Sequence, residues 1–163
     1  MAIWALGGGA EAEQSLQRIA AANPTFADVY AIWGVNLVRD GRWLDDVETN
    51  RKGAEITGGH PIFRSRQALG LRRAGRTAEA EALAADVRSG AVGDLSSDVR
   101  LTLALAMGDH EEAQLNLEQA IEERQPMVLW YYLDYLVADL LPREEPWVHA
   151  GFRRIRPEKP VAL

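Results

Sequence analysis

The stretch YAIWGVNLVRDGRW, residues 30–43, carries apolar side chains at helical spacing and then a glycine, Gly41. Glycines recur along the chain with spacings of 34, 34 and 33 residues, at Gly7, Gly41, Gly75 and Gly108. A glycine between two helices supplies the positive φ that a tight helix–helix turn needs. Recurrence at a fixed period of this length predicts an array of helix–turn–helix units.

The segments that follow three of these glycines have apolar residues on one face of a helix. The three sets are Ala12, Leu16, Ile19 and Ala20; Ala80, Leu83, Ala84 and Val87; and Ala113, Leu117, Ala120 and Ile121. Prolines mark unit boundaries at Pro24, Pro61 and Pro126, because proline cannot continue a helix. No segment alternates with period two for long enough to predict a sheet, so the sequence predicts an all-α fold.

This pattern divides the chain, as one array over 1–163, into four units and a C-terminal cap. The units are 1–26 (partial), 27–60, 61–93 and 94–126, followed by capping helices over 127–156. Only six residues precede Gly7, so we expect either a truncated first helix or a piece of a longer protein.

The period and two motifs resemble the tetratricopeptide-repeat (TPR) family over about residues 1–125. The motifs, one in a first and one in a second helix, are Tyr30-x-x-Trp33-Gly34-x-x-Leu37, and Ala12-x-x-x-Leu16 followed by Pro24. They are similar to the family's Trp-x-x-Leu-Gly-x-x-Tyr and Ala-x-x-x-Phe…Pro. The resemblance implies a right-handed superhelix, an α-solenoid of antiparallel helix pairs.

The sequence departs from the family pattern at three positions. Asp46 stands where a small residue is expected, Asn50 where a large apolar one is, and Ala68 where the first helix usually has glycine. We therefore expect the second helix of the second unit, residues 43–57, to be the most loosely packed.

The far end, roughly residues 100–156, resembles the C-terminal repeats of bacterial signalling proteins. Its residues are Ala106-Met-Gly-Asp-His-Glu-Glu-Ala113, Leu117-Glu-Gln-Ala120, Glu122-Glu-Arg-Gln-Pro126, Asp139-Leu-Leu-Pro-Arg143 and Glu145-Pro-Trp-x-x-x-x-Phe152-Arg-Arg-Ile155. Similar arrays there follow a winged-helix regulator, a nucleotide cyclase or a kinase domain. The resemblance implies a bacterial regulatory context and a capped end. A terminal repeat needs a polar outer face, which is available from Arg143, Glu144, Glu145, Arg153, Arg154, Arg156 and Lys159.

Composition narrows the function classes. Of the 163 residues, 47% are hydrophobic and 26% charged, which is typical of an ordered, soluble chain. The absence of cysteine excludes disulfides, zinc–thiolate sites and cysteine nucleophiles. A net charge of −6 argues against a nucleic-acid binder with a wholly basic surface.

Membrane and export signals are also weak. The N-terminus has no basic region and too short an apolar run for a signal peptide. The longest apolar stretch, residues 127–141, contains Asp134 and Asp139 and is shorter than the roughly 20 residues that span a bilayer. We expect no membrane partner and a cytoplasmic location, or a periplasmic one if the chain is part of a membrane-bound regulator.

We predict no enzyme, cofactor or metal site from the motifs. Gly7-Gly8-Gly9 lacks a phosphate loop's Gly-Lys-Ser/Thr ending. Zinc-protease spacing after His110 would need a second histidine at Gln114. The remaining histidines are far apart in the chain, so solvated or helix-capping roles are expected. Paired acids such as Glu111-Glu112 point about 100 degrees apart on a helix and do not face each other.

The TPR resemblance implies that the first helices line a concave groove that binds an extended or helical peptide. Its register assigns to the groove Ala31, Val35, Val38, Arg39, Ile62, Arg66 (one place off register), Leu69, Arg73, Asp98, Thr102 and Leu105, with Tyr131, Tyr132 and Tyr135 at the far end. From these we select as candidate binding residues Arg39, Arg66, Leu69, Arg73, Thr102, Tyr131 and Tyr135. The carboxylate clamp of chaperone-binding members is not expected, because Ala31 and Val35 replace its lysine and asparagine.

Five arginines fall in the acid-free stretch between Glu55 and Glu79: Arg64, Arg66, Arg72, Arg73 and Arg76. One interpretation is a positive patch that holds an acidic peptide or a terminal carboxylate, which suits the arginine fork. The other is that these arginines pair with acids of neighbouring helices, such as Glu48, Glu55 and Asp98.

The predicted function is therefore a scaffold that binds a protein or peptide, with two alternatives. Self-association as a homodimer, through residues 1–22 or the apolar stretch 130–141, would follow if an array that starts mid-repeat exposes an apolar face. An enzyme of unrecognised type is the other. Among the aromatic residues, we expect Trp33 to belong to the core, whereas Tyr131, Tyr132 and Tyr135 cannot all face inward.

Overall fold

The computed structural model describes residues 9–90, 94–125, 128 and 145–155. Within these ranges the chain forms helices and no strand, which confirms the all-α prediction. The helices are α1 (Ala10–Ala22), α2 (Ala27–Arg39), α3 (Trp43–Ile56), α4 (Pro61–Arg73), α5 (Thr77–Gly90), α6 (Ser97–Met107), α7 (His110–Glu122) and α8 (Pro146–Ile155). None of these helices has the length and apolar character needed to cross a bilayer.

Three turns with the same geometry connect α2 to α3, α4 to α5 and α6 to α7. Each contains a glycine with positive φ: 71° at Gly41, 80° at Gly75 and 74° at Gly108. The amide of the residue after each glycine donates to the carbonyl five residues earlier, at 2.9 Å, in the pairs Arg42–Leu37, Arg76–Leu71 and Asp109–Ala104. This closure satisfies carbonyls at the helix end and turns the chain back on itself. The predicted turn glycines are confirmed at these three positions, and Gly7 lies outside the described residues.

The buried side chains form two apolar clusters. One joins α1 to α4 and contains Leu16, Val29, Tyr30 and Phe63. The other extends to α8, and its members include Ala68, Ala84, Leu103, Leu117 and Val148. Helix α6 is central to it, because nine of its eleven residues are buried, on every side of the helix.

The three predicted apolar stripes match the buried faces of α1, α5 and α7, with one exception. Their members are buried or half-buried, except Ile19, which is 37% exposed. Trp33 packs half-buried against the first cluster, and its indole Nε1 donates to Glu13 Oε1 at 3.4 Å. The ring also stacks on Tyr30 with 6.5 Å between centroids, so the structure places it with the core.

The expectation that residues 43–57 would be loosely packed was wrong. Helix α3 packs extensively on both α2 and α4, and Asp46 and Asn50 are only 4% and 0% exposed. Two facing glycines supply the room: a Cβ on Gly34 would lie 2.5 Å from Asp46 Oδ1, and one on Gly70 would lie 2.8 Å from Val47 Cγ2. The large polar side chains of α3 fit because the residues that face them on the neighbouring helices are glycines, which have no side chain.

The two polar residues in this contact also bond to each other. Asn50 Nδ2 donates to the Asp46 side chain at 2.7 Å and to the Asp46 carbonyl at 3.0 Å. A buried carboxylate without such bonds would carry a large desolvation penalty. The pair fixes the Asp46 carboxylate between Gly34 and Gly70, where it leaves no space for a methyl group.

Helix α8 covers one side of α7. Val148 is fully buried in the second cluster, and Gly151 brings the α8 backbone close to Leu117. His110 Nδ1 lies 3.0 Å from Glu145 Oε1, whereas Arg153, like Arg154, is exposed to solvent. Of the predicted capping helices over 127–156, this one falls within the described residues, and it presents a charged outer face.

A polar network joins the start of α6 to the end of α7. Ser97 Oγ donates to Glu123 Oε2 at 2.6 Å, and Gln119 Nε2 donates to Glu123 Oε1 at 2.7 Å. Bonds from Ser97, then Gln125 and Gln119, lower the pKa of Glu123 below its ordinary value of 4.5. The ionised carboxylate therefore stabilises the folded chain above that value.

Gly34→Ala should destabilise the fold despite the higher helix propensity of alanine. We expect its free energy of unfolding to fall by about 1–2 kcal/mol, because Asp46 must be displaced from its bond to Asn50. Urea unfolding measures this. The matched control is Gly90→Ala, whose added methyl meets nothing within 4 Å. Equal stability of the two variants would contradict the close-approach argument.

Glu123→Gln should flatten the acid limb of the stability profile. Because folding lowers the pKa of Glu123, the stabilisation is present above 4.5 and lost as the pH falls through the lower folded-state value. Urea unfolding between neutral pH and the onset of acid denaturation should show a steeper loss for the wild type than for this variant. Glu111→Gln removes an exposed carboxylate from the same helix, and identical profiles for the two variants would count against the assignment.

Candidate functional site

A cavity of about 450 Å³ lies between α2 and α4, the first helices of the second and third units. We call it the α2–α4 cavity. Its lining comes from α2, from the α3–α4 connection and from α4: Ala27, Asp28, Ala31, Ile32, Val35, Thr57, His60, Ile62, Phe63 and Arg66. Six of these ten side chains are apolar, so the cavity combines an apolar wall with a few polar groups.

The cavity exists because α2 and α4 both pack mainly against other helices. Helix α4 packs on α3, α5 and α6, whereas α2 packs principally on α3. Phe63 of α4 lies over Gly53 of α3, and Gly70 lies over Asp46, so α3 draws both neighbours towards itself. The space between the two first helices is left unfilled at their N-terminal halves.

The α2 wall is one face of that helix, apolar except for Asp28. Asp28, Ala31, Ile32 and Val35 stand at i, i+3, i+4 and i+7, which is one helical face. Val29 belongs to the core, at 1% exposure. Ala31 and Ile32 pack half-buried against the first cluster and also line the cavity.

Arg66 is the cation of the cavity. Its side chain is half-buried, and its Nη1 donates to the Ala31 carbonyl across the cavity at 3.4 Å. No carboxylate of the described part of the chain lies within ion-pair distance of it. Half-burial of a guanidinium without an acid partner leaves a charge that a ligand carboxylate would neutralise.

Three other arginines of the patch have structural partners. Arg64 pairs with Asp86 of α5, and Arg76 donates to Glu79 at 2.6 Å. Arg72 Nη1 donates to the Ala106 carbonyl at 3.3 Å and lies 3.7 Å from Glu81.

The second interpretation of the patch, pairing with acids of neighbouring helices, therefore holds for Arg64 and Arg72, whereas Arg76 pairs with an acid three residues further along the chain. Two of the acids that we expected as partners, Glu48 and Glu55, do not pair with these arginines. Both bond to Arg51 of their own helix. Arg51 also lowers the pKa of Glu48 through its hydrogen bond.

Two of the predicted binding residues are buried. Leu69 is 4% exposed and belongs to the second core cluster, and Thr102 is fully buried with its hydroxyl donating to the Asp98 carbonyl at 2.8 Å. Both lie on helices that pack closely against each other, Leu69 on α4 and Thr102 on α6.

The other predicted binding residues lie apart from the cavity, except Arg66. Arg39 is half-buried and pairs with Asp40 at 3.5 Å, and the exposed Arg73 also has an interaction partner. Neither lines the cavity. Tyr131 and Tyr135, like Tyr132, lie outside the described residues. So do residues 1–8 and 130–141, which belong to the surfaces predicted for self-association.

Several lining residues were missed in the sequence, notably Asp28, Ile32, His60 and Phe63. The signal was present in α2, where nearly every position from Ala27 to Val38 is apolar, more than one buried face can use. His60 and Thr57 came into the site only because the α3–α4 connection folds over its end.

The predicted capping role of histidine is confirmed for His60. The residue is the N-cap of α4, and its Nδ1 accepts a hydrogen bond from the Ile62 amide at 3.3 Å. Within the described ranges, no three His, Asp or Glu side chains come together in a way that would hold a metal ion.

Comparison with known proteins leaves the cavity as the basis for assigning a function. No protein-family model, curated protein or solved structure matches this sequence. The site combines an apolar surface with the Asp28 carboxylate and with a guanidinium that has no carboxylate partner among the described residues, which suits binding of an apolar group that carries a carboxylate.

Arg66 and Arg72 should differ in their effect on stability. Arg66→Gln loses one long bond, so we expect the free energy of unfolding to stay within about 0.5 kcal/mol of wild type. Arg72→Gln should cost about 1 kcal/mol or more, because the guanidinium bonds the end of α6 and packs over Gly108. Thermal and urea unfolding compare the two directly, and a greater loss in Arg66→Gln would assign Arg66 a structural role.

Proposed function

We propose that this chain is a TPR-like α-solenoid that acts as a protein-interaction module in a bacterial regulatory context. It binds a peptide segment of a partner protein in the α2–α4 cavity. The observation that carries the proposal is the combination of a largely apolar cavity with a half-buried arginine that has no carboxylate partner within the described ranges.

The repeated geometry supports the solenoid. The second helices α3, α5 and α7 begin at Trp43, Thr77 and His110, which are 34 and 33 residues apart. Each follows the same glycine turn, so the chain repeats one helix–turn–helix unit, as stacked-repeat architectures do. We propose the right-handed superhelix of the TPR family as the arrangement of these units.

The cavity has the size and chemistry of a binding site. Pockets of about 300–1,000 Å³ with a largely apolar lining and a few polar groups are typical of ligand sites. Burying apolar ligand surface there contributes roughly 25 cal/mol per Å² before the costs of association. A carboxylate of the ligand would bond to the Arg66 fork and fix its orientation.

The ligand is expected to bring both features in one segment. A bulky apolar side chain would fill the space between Ile32 and Phe63, as anchor residues do at interaction hot spots. An acidic group beside it would reach Arg66. Partner recognition then depends on the pair, because an apolar group alone leaves the guanidinium unpaired.

Selection from a displayed peptide library tests this function. Peptides enriched on the wild-type chain should combine apolar and acidic residues and should lose at least about tenfold in affinity for Ala31→Trp, which fills the cavity. The matched control, Ala85→Trp, places the same indole on the exposed side of α5 and should leave binding unchanged. Selection of no specific peptide, or of peptides indifferent to Ala31→Trp, would refute the proposal.

A further inference from the structure

We infer that the α2–α4 cavity binds an amphipathic helix that directs a carboxylate to Arg66, and not an extended strand. The inference rests on the proposed function and names the form of its ligand. It follows from the polar groups that the cavity has, from its shape along α2, and from the weakness of the bond that Arg66 makes.

The cavity has too few polar groups to receive an extended backbone. An extended peptide brings one amide and one carbonyl per residue, and burying them unpaired is costly. The lining offers Asp28, Thr57, His60 and Arg66, and the His60 Nδ1 already accepts the Ile62 amide. A helix bonds its own backbone groups and presents side chains alone, so it needs no such partners.

The shape of the wall suits a helical ligand. The α2 lining runs from Asp28 to Val35, about 10 Å at 1.5 Å per residue, or two helical turns. Ile62 and Phe63 face it from α4, so apolar side chains inserted from a helix that lies over the opening would meet apolar surface on both sides. Two apolar side chains one turn apart on the ligand would match this length.

Arg66 is poised to change partners. Its bond to the Ala31 carbonyl is long, at 3.4 Å, and that oxygen lies within α2, where it also accepts an intrahelical bond. A carboxylate would offer shorter, charge-assisted and bidentate bonds. Because Arg66 stands one turn beyond Ile62 along α4, the acid of the ligand belongs beyond its apolar pair, on the same face.

Three labelled peptides and the full chain test the inference. The first is an Ala/Gln-based helical peptide, about 16 residues long, with two leucines one turn apart and a glutamate a further turn along the same face. The second replaces a central alanine with proline, which breaks the helix. The third replaces the glutamate with glutamine. Fluorescence anisotropy with the wild-type chain should give the first peptide at least about tenfold tighter binding than either of the others.

Variants of the chain assign the effect to Arg66. Arg66→Gln should bind the glutamate and glutamine peptides equally, and Arg66→Glu should prefer a lysine at that position of the peptide. Arg153→Gln, on the exposed face of α8, is the matched control and should keep the wild-type preference. Circular dichroism checks that each variant retains its helices. A glutamate preference that survives in Arg66→Gln would overturn the role of Arg66.

The outcomes separate this inference from the proposed function. Equal binding of the helical and proline peptides, abolished by Ala31→Trp, would overturn the helical form of the ligand and leave the cavity as the binding site. Peptide binding that Ala31→Trp does not change would overturn both. If the wild-type chain binds none of the three peptides, this ligand class is refuted, and the library selection alone decides the function.

Discussion

The close approach of α3 to both α2 and α4 is the contact on which the rest of this fold depends. It is possible because Gly34 and Gly70 leave space for Asp46, whose carboxylate is fixed by Asn50. A polar pair in such a position would usually weaken a core. Here it takes the place of the small and large apolar residues of the repeat pattern, and it sets the spacing of three consecutive helices.

That spacing has a direct consequence for the surface. With α3 as their common neighbour, α2 and α4 do not fill the space between their N-terminal halves, whereas α4 and α6 pack closely. A space therefore remains between α2 and α4, whereas α4 and α6 are in close contact. The α2–α4 cavity is bounded by Ile32 on one side and Phe63 on the other.

The arginines of the acid-free stretch also differ between the packed helices and the cavity. Most arginines of the acid-free stretch are part of the framework: Arg72 bonds the end of α6, and Arg64 and Arg76 pair with acids of α5. Arg66 differs because its bond crosses the cavity and no carboxylate of the described residues lies within ion-pair distance of it. A guanidinium in a largely apolar recess selects ligands that carry a carboxylate, and the surrounding surface supplies area and shape.

The sequence by itself determined the helices, the glycine turns and most of the buried faces, because these depend on local backbone geometry and on the spacing of apolar residues. It also indicated Arg66, although as one of seven candidates. Of the other six, Leu69 and Thr102 are buried, and the rest lie apart from the cavity or outside the described residues. Only the tertiary structure decided that Asp46 and Asn50 fit tightly and that the opening lies between α2 and α4. Both depend on which helices approach most closely, and that is set by glycines on neighbouring helices that no periodicity within one segment reveals.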